Sequence, residues 1–233
     1  AIIGSLFGGD WLLVVALACL IFTIKPLSAI RELPVLDQKT KLRFTFRAAP
    51  LRDSVADACF GSEETVSRTL WPMYLAVTLS AFSQVGAVAV ISAIGTIFAV
   101  WLAGRRGDQG KYRTVLAEGV SGMSVVNVLR LMATTFRPIA ALGVAYQIAQ
   151  GYALNGLNTT YYSHAKDKGL QYIVSIELAS DMGYLITWSI LYAALSISHS
   201  SDVLFRLGFI IAAVAVWGTL LYTPYKSKNA QHM

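Results

Sequence analysis

The chain has 233 residues, 55% of them apolar and only 14% charged, with a mean hydropathy of +0.56 and a formal net charge of +6. That balance excludes a water-soluble globular domain, which needs more polar residues to cover its surface. The two cysteines, Cys19 and Cys59, lie in or beside apolar stretches without CxxC spacing, which argues against a disulfide framework or a zinc site.

The apolar residues collect into runs long enough to cross a hydrocarbon layer, which takes about 20 helical residues. The segment Ala1–Gly9 carries the close-packing spacing Gly4-x-x-x-Gly8 and ends in a Gly-Gly-Asp turn. It reads as the outer end of a span that begins upstream. The first complete span is expected over Trp11–Ala29. Next comes "RDSVADACFGSEETVSRTLWPMYLAV", Arg52–Val77, which is too polar for a helix facing lipid. As a span, its polar half must face the protein interior or a water-filled cavity. The alternative is a surface amphipathic helix leading into a shorter span. Pro72 is expected to kink it. Further spans are predicted over Ser83–Ala103, Thr114–Thr135, Ile139–Tyr161, Leu170–Ile197 and Val203–Tyr222. Gly86, Gly95, Gly119, Gly122, Gly151, Gly156 and Gly183 suit close helix contacts. The aromatics Trp101, Tyr161, Tyr162 and Tyr222 suit an interfacial belt.

Charge in the loops tests this arrangement. With seven spans, Arg31–Arg52, Arg105–Arg113, Lys166–Lys168 and the tail from Lys226 share one side and hold 14 of the 19 Lys and Arg. The opposite loops hold Arg137 and Arg206 at their edges. This positive-inside pattern makes the basic side, with the C-terminus, cytoplasmic. Short loops suit a bacterial inner membrane.

The stretch "GRRGDQGKYR" resembles the signature loop of the major facilitator superfamily of transporters, G-x-x-x-D-R-x-G-R-R in general form. Gly104, Arg105, Asp108, Gly110, Lys111 and Arg113 carry the likeness. Gln109 departs from it where arginine is usual, and one residue is missing before Gly110. The order of features along the chain is similar to the sixth to twelfth helices of that family. The resemblance implies an all-α polytopic membrane protein, a helical bundle with about seven transmembrane helices in this chain. Residues 1–30 would end an N-terminal bundle, 31–51 form a basic cytoplasmic linker, 52–226 a C-terminal six-helix bundle, and 227–233 a cytoplasmic tail. It also implies alternating access around a path shared with the N-terminal half of the same protein. The signature loop would be a conformational latch, Asp108 capping the following helix and pairing with arginines across the cytoplasmic face.

Ionisable residues inside spans are costly and therefore informative. Glu63, Glu64 and Arg68 precede Pro72, and Glu64 and Arg68 share a helix face. The cluster either binds substrate and the coupling proton or forms a static ion pair. Glu177 and Asp181 are four apart, about 10 and 17 Å into their span, so one of them is a candidate proton carrier or a hydrogen-bonded structural site. Arg130, with Asn127 one turn earlier, reads as snorkelling to the outer interface. Glu118 reads as facing the basic loop. Gln147, Gln150, Asn155 and Asn158 either line the path or bond between helices.

The expected function is secondary transport of a small solute, with protons as the coupling ion and the lipid bilayer as the surrounding medium. A non-transporting sensor or scaffold on a transporter-like fold is the alternative. No enzyme, metal or cofactor is expected. The histidines His164, His199 and His232 sit near span ends or in the tail, and no GxSxG spacing occurs. A retinal-binding pump would need a lysine in Val203–Tyr222, which has none. No nucleic-acid partner is expected.

Overall fold

A computed structural model of the protein describes residues 49–79, 81–107 and 111–222. The expected first span, the Gly4/Gly8 pair, nearly all of the basic linker, the loop residues Asp108 and Gly110, and the tail lie outside the described residues. Every regular element among the described residues is helical. The first rod is broken into α1 (Leu51–Thr65), a π-turn (Val66–Leu70) and α2 (Trp71–Thr78). Then follow α3 (Phe82–Gly107), α4 (Tyr112–Arg130), α5 (Phe136–Lys168), α6 (Leu170–Ser198) and α7 (Ser201–Gly218), which closes in a 3-10 turn at Thr219–Leu221.

The breaks follow from local chemistry. Pro72 has no N–H, and its ring crowds the carbonyl of the residue four earlier, Arg68. Widening the preceding turn to π geometry relieves that crowding, so the expected kink takes the form of a π-turn. α5 begins at Phe136, ahead of the expected Ile139. Arg137 and Pro138 fall in its first turn, where backbone N–H groups have no helical acceptor. It also continues past Tyr161 to Lys168, until Gly169 at φ 75° ends α5 and starts α6 without an intervening loop. α4 stops at Arg130 rather than Thr135, because Leu131 and Met132 form a turn.

α3, α6 and α7 are each long and apolar enough to cross a membrane. Their large side chains point outward: Ile97, Phe98, Leu185, Ile186, Val214 and Trp217 are all exposed. Five ionisable side chains of the other rods go inward, with Asp53, Asp57, Glu63, Glu64 and Arg130 buried. A protein solvated by water distributes these residues the other way round; hydrocarbon solvent favours this one.

α4 packs on α5, α5 on α3, and α1 on α6, while α7 closes against both α1 and α4. Glycine sets how near these helices come. A Cβ on Gly119 would lie 2.2 Å from the Ala153 nitrogen, and one on Gly183 would lie 2.0 Å from the Ala58 carbonyl oxygen. Gly61 meets the Ser180 backbone in the same way, so α1 and α6 each supply a glycine to the other. Gly183→Ala is therefore expected to cost about 1–3 kcal/mol by overpacking. Thermal unfolding in detergent reads the loss. Gly104→Ala is the control, since a Cβ there meets nothing within 4 Å.

Candidate functional site: a buried carboxylate–guanidinium layer

Two apolar clusters fill the bundle, one around Leu70, Trp71, Phe205 and Phe209, the other around Phe60, Val120, Met123 and Leu157. Between them lies a polar layer contributed by α1, the π-turn, α4 and α5. Glu63 is 0% exposed. Its Oε1 accepts hydrogen bonds from Ser67 Oγ at 2.7 Å, Tyr146 Oη at 2.9 Å and Asn127 Nδ2 at 3.2 Å. Tyr146 also reaches Oε2 at 3.1 Å. Arg130, 1% exposed, donates from Nη1 to Asn127 Oδ1 at 2.8 Å and Ser67 Oγ at 3.1 Å. Ser67 and Asn127 thus each touch both charges, and the carboxylate and guanidinium communicate through two parallel bridges.

The guanidinium is also sandwiched. Its Cζ lies 4.2 Å from the ring centroid of Trp71 and 4.2 Å from that of Tyr146. Two cation–π contacts hold the group with few hydrogen bonds. Its Nε has no hydrogen-bond partner.

The expectation that Arg130 snorkels to the outer interface is corrected by this arrangement. Side chains tilt toward the N-terminus of their helix, and Arg130 is the last residue of α4. Its guanidinium therefore reaches back into the bundle, where Asn127 one turn earlier receives it.

The three residues expected as one cluster ahead of Pro72 divide between two faces. Glu63 turns into the polar layer. Glu64 and Arg68 pair at 2.6 Å on another face, and Tyr184 of α6 donates to Glu64. The Arg68 side chain is 68% exposed. Glu177 and Asp181 are exposed on α6, with Tyr161 donating to Glu177 at 3.3 Å. Tyr184 feels the charges of both Glu64 and Asp181. One surface of α1 and α6 thus gathers Glu64, Arg68, Glu177 and Asp181, while Glu63 lies apart from it.

At the basic end of the bundle, Asp53 is buried beside His164 (3.3 Å), Tyr172 (3.2 Å) and Lys168 (3.8 Å), tying the start of α1 to the α5–α6 junction. This group was not singled out in the sequence. Glu118 pairs with Arg106 at 2.5 Å, so it does face the basic loop. Arg105 stacks over Trp101 at 4.0 Å, and Lys111 and Arg113 are exposed. Tyr222, expected in an interfacial belt, is instead buried against the second apolar cluster, because the 3-10 turn folds it under α1.

Beside the polar layer is a cavity of about 430 Å³ between α1–α2, α3, α4 and α5. Arg130, Trp71, Tyr146, Ser67 and Gln147 form its polar wall, and Leu75, Val85 and Val88 form part of its apolar wall. Thr96 donates to Gln147 Oε1 at 3.0 Å.

Charge on the α1–α6 surface makes a second testable point. In a protein whose cysteines are replaced by alanine, a cysteine at Asp181 is expected to react with a membrane-impermeant maleimide in intact vesicles. A cysteine at Val214, 69% exposed on α7, is expected to stay unlabelled. Equal labelling of the two would show that the acidic surface is no wetter than the apolar one.

In comparisons with known proteins, no family model, no curated protein and no solved structure matches the chain.

Proposed function

We propose that the protein is a secondary active transporter of the major facilitator type, moving a small solute across a membrane by alternating access with proton coupling. The observation that carries this reading is the buried Glu63–Arg130 layer, whose Arg130, Ser67 and Tyr146 form part of the wall of a solute-sized cavity. It sits inside a bundle whose outer surface is apolar. A static scaffold has no use for two ionisable groups at such a position, since burying charge costs free energy that apolar packing would not. A carrier needs both. Glu63 is a group that gains and loses a proton next to a site a solute can enter, and Ser67 and Asn127 transmit the change to Arg130.

In this reading the described helices form the C-terminal bundle. The α1–α6 surface with Glu64, Arg68, Glu177 and Asp181 faces the companion bundle across a hydrated path. The end bearing Arg105, Arg106, Lys111, Arg113, Lys166 and Lys168 is cytoplasmic, which the positive-inside rule supports. Asp53, His164 and Lys168 fasten the helices at that end, where a rocking motion needs a firm pivot.

The test is reconstitution of the full-length protein into liposomes with an imposed pH gradient, followed by uptake of labelled monocarboxylates, amino acids and sugars. Accumulation of at least one class, collapsed by a protonophore, is the expected result. Absence of gradient-driven uptake across all three classes would sink the proposal.

A further inference from the structure

The cavity beside Arg130 is charged in one sense only. Among the described residues, the charged side chains in its lining are Arg68 and Arg130, and no carboxylate lines it. Arg68 is neutralised by Glu64 at 2.6 Å. Arg130 makes no direct ion pair with Glu63, whose carboxylate oxygens are taken by Ser67, Tyr146 and Asn127; the two charges act on each other across that layer. The Arg130 Nε–H is a buried donor without a partner, on a side chain 99% enclosed by protein and forming part of the cavity wall. Buried donors are almost always satisfied, so an orphan on a side chain that lines an empty volume leaves this guanidinium with donor capacity that the protein itself does not use.

From these observations we propose that the cavity binds a small organic monoanion, with its carboxylate on Arg130 and its apolar body against Leu75, Val85 and Val88. This deepens the transporter reading by naming a solute class, and rests on that reading for the use to which binding is put. The volume falls in the range of small-molecule sites, roughly 300–1,000 Å³. A charge-assisted bond from guanidinium to carboxylate is the strong kind, and the low-dielectric wall strengthens it. The amide N–H2 of Gln147, whose carbonyl is already taken by Thr96, is a second donor in the same wall. Stacking between Trp71 and Tyr146 fixes the plane of the guanidinium, so the donor is held in place before the anion arrives. A neutral amide of equal size could accept from the guanidinium only without the charge-assisted part of the bond, and a cation would meet like charge.

The experiment is equilibrium binding of labelled benzoate to the purified full-length protein in detergent at neutral pH, with benzamide and benzylamine as competitors. Benzoate is expected to bind saturably, and the neutral amide and the amine are expected not to displace it. Arg130→Gln should weaken binding about tenfold or more, with Arg130→Lys in between. Ala93→Phe places a ring in the cavity from an exposed position on α3 and leaves Arg130 untouched, so it too should abolish binding. If Arg130→Gln fails to fold, Ala93→Phe decides alone. No saturable benzoate binding, displacement by benzamide as readily as by benzoate, or binding that survives Ala93→Phe would each overturn the proposal. Benzoate binding without uptake of any solute would leave the site standing and remove the transport reading. Uptake of a neutral solute without benzoate binding would do the reverse.

Discussion

Replacing Arg130 by methionine is expected to be the most damaging single change in the bundle, costing about 3–5 kcal/mol of stability. Methionine fills much of the space between Trp71 and Tyr146, so lost packing is not the main cause. The loss comes from Glu63, whose carboxyl would be left at 0% exposure without the guanidinium that faces it, and must either take up a proton or stay buried as an unpaired charge. The same logic predicts rescue. Adding Glu63→Gln to Arg130→Met removes the stranded charge, and the double variant should recover a large part of the deficit. The coupling between the two sites should be on the order of 1–3 kcal/mol, as for groups sharing one hydrogen-bond network. Thermal unfolding of the wild type, the two single variants and the double variant in one detergent measures that coupling. Additive losses would show that the two bridges through Ser67 and Asn127 carry no energy.

Glu63→Gln alone is expected to be tolerated structurally and to change function. The amide keeps the shape of the carboxyl and still accepts from Tyr146 through its carbonyl, but it binds no proton. Transport driven by a proton gradient should fall by about tenfold or more, the scale of one lost charge-assisted interaction. Exchange of internal for external solute, which needs no net proton movement, should persist. The dependence of uptake on external pH should also flatten. In the wild type, uptake is expected to fall as external pH rises and protons become scarce; in the variant it should stay level. The titratable and charged groups facing Glu63 are Arg130 and Tyr146, and both are intact in this variant. Glu177→Gln and Asp181→Asn serve as comparisons, because both residues are exposed on another surface. If either of those flattens the profile and Glu63→Gln does not, the proton site belongs on the α1–α6 surface.

Much of the helical layout was readable from the chain, for reasons visible in particular residues. The limits of α6 follow from Gly169 on one side and the polar Ser198–Ser200 stretch on the other, and the helix runs where its apolar run does. The inward turn of the polar half of Arg52–Val77 was one of two readings open to the sequence, since "DACFGSEE" inside an apolar solvent must face the interior and otherwise lies on the surface as an amphipathic helix. The glycine contacts at Gly119, Gly151, Gly156 and Gly183 were legible because only glycine permits such approach. The candidate site was harder to see. Glu63 and Glu64 are neighbours in the chain, and nothing local says that one joins the Arg130 layer and the other the face shared with Arg68 and Tyr184; that is decided by the phase of α1 against α4 and α6. Arg130 was misplaced because position near a span end was weighed above the direction of its side chain. Asn127 three residues earlier was the available clue, since two polar residues at that spacing share a face. Tyr146, Ser67 and Trp71 carried no signal, because a tyrosine, a serine and a tryptophan in apolar helices are ordinary. Their roles arise from contacts between helices, Trp71 and Ser67 with Arg130 and Tyr146 with Glu63, that lie far apart in the chain.

The π-turn at Val66–Leu70 has a mechanical side. It lies directly between Glu63, at the end of the lower helix, and Trp71, which stacks on Arg130 from the upper one. An ordinary helix transmits torque along its whole length, because each peptide is tied to the one four residues on. Here that ladder is interrupted by the wide turn, and Pro72, lacking an N–H, keeps it from knitting back together. The rod is therefore a shaft with a coupling in it. The lower length can stay fastened to α6 through its glycine contacts while the upper length swivels over the cavity. Trp71 is the first residue beyond the coupling, so any swivel moves one aromatic jaw off the guanidinium and leaves the other, Tyr146, in place.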